Sequence, residues 1–114
     1  RRSMKLPPDS LISDRKLKEY LLSPRVEDDK SGFLAIAGYT LNHWRELEAD
    51  LRNLIAATDA DLTRSTAYGD MYEVKGSLVG PNGKTLHIIT VWVRLKANNE
   101  TRFVTLVPDK EAAR

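Results

Sequence analysis

The sequence contains no cysteine. That absence excludes disulfides and thiolate metal sites and points to a reducing compartment, so a cytoplasmic protein is expected. No apolar run approaches the roughly 20 residues that span a bilayer. The start also lacks the hydrophobic stretch of a signal peptide, so no membrane association is expected. Histidine is scarce: His43 and His87 stand far apart, with no carboxylate at ligand spacing. Neither a metal site nor a cofactor is expected from that pattern. Excess charge is nearly missing too, with 18 basic residues against 16 acidic ones and a net charge of +2. Arg1 and Arg2 precede Ser3 and Met4 and read as a remnant of expression or of a longer parent chain. Without that pair sixteen residues of each sign remain, so bulk charge names no partner.

What is present fits one globular domain. The 114 residues are 41% hydrophobic and 30% charged, enough for one core and too ordered in pattern for a disordered chain. The expected domain is 1–114, with residues 1–3 outside the fold proper and 109–114 a frayed tail. Lys5-Leu6-Pro7-Pro8 reads as an extended lead-in. Ser13 and Asp14 open a helix whose Leu17, Tyr20 and Leu21 share a face, and Pro24 stops it. A charged loop is expected over 25–30. The apolar run Phe33–Ala37, closed by Gly38, predicts a short helix. Asn42 is placed to cap the next one, where Trp44, Leu47, Leu51, Leu54 and Ile55 form a continuous apolar stripe and Glu48 pairs with Arg52 at i,i+4.

From Asp61 onward the period becomes two. Strands are expected at 61–66, 71–79, 84–96 and 101–107, with turns at Gly80-Pro81-Asn82-Gly83 and Ala97-Asn98-Asn99-Glu100. The predicted architecture is α+β, with N-terminal helices packed on a three- to four-stranded antiparallel meander. A two-residue loop at Asn82-Gly83, or a four-residue one, sets Tyr72, Gly76, Val74 and Leu78 on one face with His87, Ile89, Val91 and Val93, and a turn over Asn98-Asn99 adds Val104 and Leu106. That apolar face is expected against the helices. The other face then holds Glu73, Lys75, Thr90, Trp92, Arg94, Phe103 and Thr105.

Two readings of this mixed face compete. Coverage by a helix or by the N-terminal arm would explain Trp92 and Phe103 structurally. A binding surface would instead use Trp92 to stack a base while Lys75 and Arg94 attract phosphate. Arg94 could equally lie over the Trp92 ring without any ligand. His87, by this register, belongs to the edge of the core rather than to acid–base chemistry. The Gly80–Lys84 stretch lacks the spacing and the following helix of a phosphate-binding loop, so a hairpin turn is expected there.

The order Lys5-Leu6-Pro7, Lys16-Leu17, Tyr20-Leu21-Leu22, Lys30, Gly38, Trp44, Tyr68-Gly69, Gly80-Pro81-Asn82-Gly83, Thr90-Val91-Trp92 and Val104-Thr105 resembles a bacterial family. Its domain of unknown function occurs in small stand-alone proteins and as C-terminal modules of polymorphic, contact-dependent toxins. The resemblance implies helices over a four-stranded antiparallel sheet, similar to the ribonuclease toxins of the barnase, colicin and RelE type. It also implies a role for Lys30, Thr90, Trp92 and Thr105, which match. Toxin members carry a His-Pro pair and a glycine before the lysine matching Lys30, and a basic residue before the threonine matching Thr90. This chain has Arg25–Asp29 and Ile89 at those places.

The expected function is therefore a toxin-like domain that binds or cleaves RNA through the open sheet face. Cleavage would be metal-independent, with Lys75, Thr90 and Arg94 as the catalytic candidates. The alternative is a non-enzymatic module whose partner is another protein or a second copy.

Overall fold

A computed structural model describes residues 3–7, 9–22 and 31–110. The stop at Pro24, the charged loop with Lys30 and the last four residues of the tail lie outside the described residues. Five strands make one antiparallel sheet in chain order: β1 Ser3–Met4, β2 Ala60–Ser65, β3 Gly69–Val79, β4 Thr85–Leu95 and β5 Thr101–Pro108. The two-residue β1 only extends the edge of a four-stranded meander, so the α+β expectation holds. The two-residue pairing of β1 with Asp61 and Ala60 was not expected from the sequence.

The helical half follows its sequence signals closely. Lys16–Leu21 winds as a wide π-helix, with the Leu22 N–H bonded to the Leu17 carbonyl at 2.9 Å. Its Leu17 and Leu21 are fully buried. Helix α1, Ser31–Ala35, ends where Gly38 takes φ +91°. Gly38 N–H then bonds Ala35 and Tyr39 N–H bonds Leu34, a closure that needs a left-handed residue and so favours glycine. Helix α2, Trp44–Ala57, buries Leu47, Leu51, Leu54 and Ile55, and Arg52 meets Glu48 at 3.0 Å. Its entry differs from the expected Asn42 cap. Thr40 precedes a single 3-10 turn, Leu41–His43, and exchanges hydrogen bonds with His43 through Nδ1.

Register is where the sheet departs from expectation. Val79 pairs with Thr85, and Gly80 N–H still reaches Lys84 O at 2.9 Å, so the loop is the three residues Pro81, Asn82 and Gly83. Gly83 N–H closes on Gly80 O and Gly83 sits at φ +86°, a turn followed by a left-handed residue. A three-residue loop shifts β4 by one position relative to a loop of two or four. Every side chain of β4 therefore faces the opposite way from the expected assignment. Val74 lies opposite Thr90 and Tyr72 opposite Trp92. A second irregularity between Val91 and Trp92 shifts β5 by one as well, so that Trp92 faces Phe103 while Thr90 faces Leu106.

The core accordingly lies between the helices and one sheet face: Tyr72, Val74 and Leu78 from β3, Leu86, Ile88, Thr90 and Trp92 from β4, Phe103 and Leu106 from β5. Tyr39 joins this layer from the loop after α1 and donates its hydroxyl to Asp50 of α2. Burial, followed by that hydrogen bond and the nearby charges of Asp50 and Glu46, pushes the Tyr39 hydroxyl well above the ordinary tyrosine value.

Candidate functional site

The seven residues expected on one face divide between two. Thr90, Trp92 and Phe103 are buried on the helix side. Trp92 has no solvent exposure and meets Phe103 edge-on at 5.2 Å, so its ring is enclosed and cannot receive a base. Its indole Nε1 donates to Thr90 Oγ1 at 2.8 Å, and Thr90 Oγ1 donates to the Val74 carbonyl at 2.9 Å. This relay leaves the hydroxyl no freedom for positioning a substrate. Arg94 stands on the same side, half-buried, opposite Asp70 and Thr101. Only Glu73, Lys75 and Thr105 occupy the opposite face, helix-free among the described residues, and of these only Lys75 is fully exposed. The structural explanation by covering helices placed a helix over this mixed face; instead the reversed register of β4 turns Trp92 into the layer that Tyr72 and Val74 share with the helices.

His87 moves in the other sense. Expected at the core's edge, it is exposed on the helix-free face, where it stands opposite Ser77. His43 is held by the Thr40 hydroxyl at 2.8 Å in the turn before α2. The two imidazoles belong to different parts of the molecule.

The helix-free face is largely aliphatic at its centre. Met71, Ile89, Val91 and Val107 are each half-buried, Val93 and Leu95 at one end of the same face are buried, and none of them belongs to the core cluster. Pairing sets Ile89 between Lys75 and Val107, and Val91 between Glu73 and Thr105. The rim is polar, with Lys75, Ser77, His87 and Arg102 exposed. Its strands β3, β4 and β5 present no phenylalanine, tyrosine or tryptophan to this side. Sequence reasoning missed the aliphatic group because it assigned Ile89, Val91 and Val93 inward. The signal was the Pro-Asn-Gly triplet, which suits a three-residue loop with glycine last.

Comparison with known proteins agrees with this geometry at the level of fold. Residues 7–110 match the family described as a domain of unknown function, DUF6883, and the chain belongs to that family. No curated relative matches the sequence. A chain from the contact-dependent growth inhibition toxin–immunity protein complex of Klebsiella pneumoniae 342 superimposes with a TM-score of 0.68. The superposition covers 88% of this chain and 100% of that one, at 16% identity, so it establishes a shared fold. Among the described residues, no helix is long and apolar enough to cross a membrane.

Proposed function

We propose that this DUF6883 domain is a protein-binding module of a bacterial toxin–immunity system, and that it docks its partner on the helix-free face of the sheet. The observation that carries this reading is the half-buried group Met71, Ile89, Val91 and Val107 inside a rim of Lys75, Ser77, His87 and Arg102. An apolar centre within a polar rim is the composition of a protein interface, where the centre loses its water and the rim keeps solubility. The similar fold of a chain from a toxin–immunity complex supports a protein as the occupant. The lack of cysteine supports a cytoplasmic setting.

The RNA reading has less support. Its stacking platform, Trp92, is enclosed, and Thr90 is committed to the indole. Ile89 stands at the centre of the face where the family resemblance implies a basic residue, so the charge that would stabilise a cleaving phosphate is missing there.

Binding of the domain to the protein encoded beside it, measured by calorimetry, tests the proposal. Val91→Asp should weaken binding by at least about thirtyfold, the effect of losing one central contact of about 2 kcal/mol, while the domain stays folded at the assay temperature. Unchanged affinity in that variant defeats the proposed surface. RNA binding or cleavage that depends on Lys75 and Thr105 would favour the nuclease reading instead. Self-association abolished by Val91→Asp would identify the partner as a second copy.

A further inference from the structure

A second site lies at the border of that face, where the lead-in segment meets the edge of β5 and Arg102 is shared with the rim. Leu11 pairs with Arg102 in a single parallel bridge, receiving the Phe103 N–H at 2.8 Å and donating to the Thr101 carbonyl at 2.8 Å. The chain then turns through Ser13 into the π-helix. Between these elements opens a cleft of about 330 Å³, lined by Leu11, Ile12, Ser13, Lys16, Arg102 and Phe103. Three walls are apolar, two are cationic and one is a hydroxyl. Among the described residues the lining holds no carboxylate.

The charges at this cleft are unequally compensated. Arg102 donates through Nε to Glu100 Oε2, which offsets part of its charge. Lys16 has no such partner among the described residues: its ammonium donates to the Val104 carbonyl at 2.8 Å and lies 5.9 Å from the Tyr20 ring. Both contacts are with neutral groups. Burial accordingly lowers its proton affinity below the ordinary lysine value. An ammonium removed from part of its water without a countercharge is an unmet electrostatic demand, and an anion in the cleft would meet it. Ser13 Oγ accepts the Lys16 backbone N–H at 3.4 Å, which leaves its own proton to donate.

We propose that this cleft binds a compact anion carrying an apolar group. Lys16 and Ser13 hold the anionic end, while Leu11, Ile12 and Phe103 enclose the rest. Bare inorganic anions would lack the apolar contacts, and neutral ring compounds would leave Lys16 uncompensated.

The test is an NMR titration of the full chain with 1-naphthyl phosphate, 1-naphthol and inorganic phosphate. The expected result is saturable shifts at residues 11–16 and 101–104 for naphthyl phosphate, with at least about tenfold weaker binding of the other two. Lys16→Met should weaken naphthyl phosphate about tenfold or more, and Lys16→Arg should restore most of it. Leu11→Trp, at a position already 47% exposed, fills the cleft and should abolish binding without lowering the melting temperature. This second variant keeps the test sound if Lys16→Met unfolds. Equal binding of all three probes, shifts elsewhere, no binding, or binding indifferent to both Lys16→Met and Leu11→Trp overturns the proposal.

Discussion

The two faces of the meander both carry aliphatic residues, and they do different things. On the helix side Val74, Leu78, Ile88, Trp92 and Leu106 are sealed beneath α2 and the π-helix. On the other side Met71, Ile89, Val91 and Val107 are only half-covered, and only Val93 and Leu95 at one end are buried. Threonine occurs on both: Thr90 is enclosed and bonded, whereas Thr105 sits half-buried beside Val91. On β4, residue type therefore does not decide which face is core. Register decides it, and a three-residue loop decides register.

The largest expected effect separates the faces directly. Trp92→Ala should cost about 3–5 kcal/mol in urea unfolding, because a large buried ring is removed and the cavity beside Phe103 cannot collapse fully. Val91→Ala, next in sequence on the open face, should cost under about 1 kcal/mol. If the two losses were alike, the open face would be covered in solution and the contrast between faces would fail.

The same contrast shows which parts of the molecule sequence reasoning could reach. The stripe of α2, the Gly38 stop and the strand ranges were legible, since each rests on a local period or on a residue of special geometry. The inward set of β3 was legible as well, because Glu73, Lys75 and Ser77 alternate with Tyr72, Val74 and Leu78. β4 offers no such contrast. Ile88, Ile89, Val91, Trp92 and Val93 are apolar on both sides, so its orientation hangs on loop length alone. Asn82-Gly83 suits a two-residue loop and Pro81-Asn82-Gly83 a three-residue one; the difference of one residue reverses the strand. The shift between Val91 and Trp92 has no sequence mark comparable to a glycine or proline. The candidate site was misread for this reason, and Trp92 was the costliest part of the error.

A smaller effect tests the polar relay beneath the helices. Thr90→Val keeps the shape of the side chain but strands the Trp92 indole N–H in the core, for a loss of about 1–3 kcal/mol. Combined with Trp92→Phe, the valine should cost much less than it does alone, because no donor is then left unsatisfied. A full, additive loss in the double variant would show that Thr90 acts through its bond to the Val74 carbonyl rather than through Trp92.

The smallest effect comes from a threonine that looks equivalent and is not. Thr101 is also buried on the helix side, at 4% exposure, opposite Arg94 at the start of β5. Its carbonyl is satisfied by the Leu11 N–H, but its hydroxyl Oγ1 has no partner among the described residues. An enclosed hydroxyl without a partner gives up its hydration for nothing, so an apolar group of the same shape should be neutral there or stabilising. Thr101→Val is therefore expected to leave the urea midpoint unchanged or to raise stability by up to about 1 kcal/mol. Measured beside Thr90→Val, it separates the hydroxyl's bonding from its burial, since the two substitutions delete the same atom from similarly enclosed positions. A loss at Thr101 as large as that at Thr90 would mean that both hydroxyls are bonded in solution, and that enclosure on the helix side always comes with a partner.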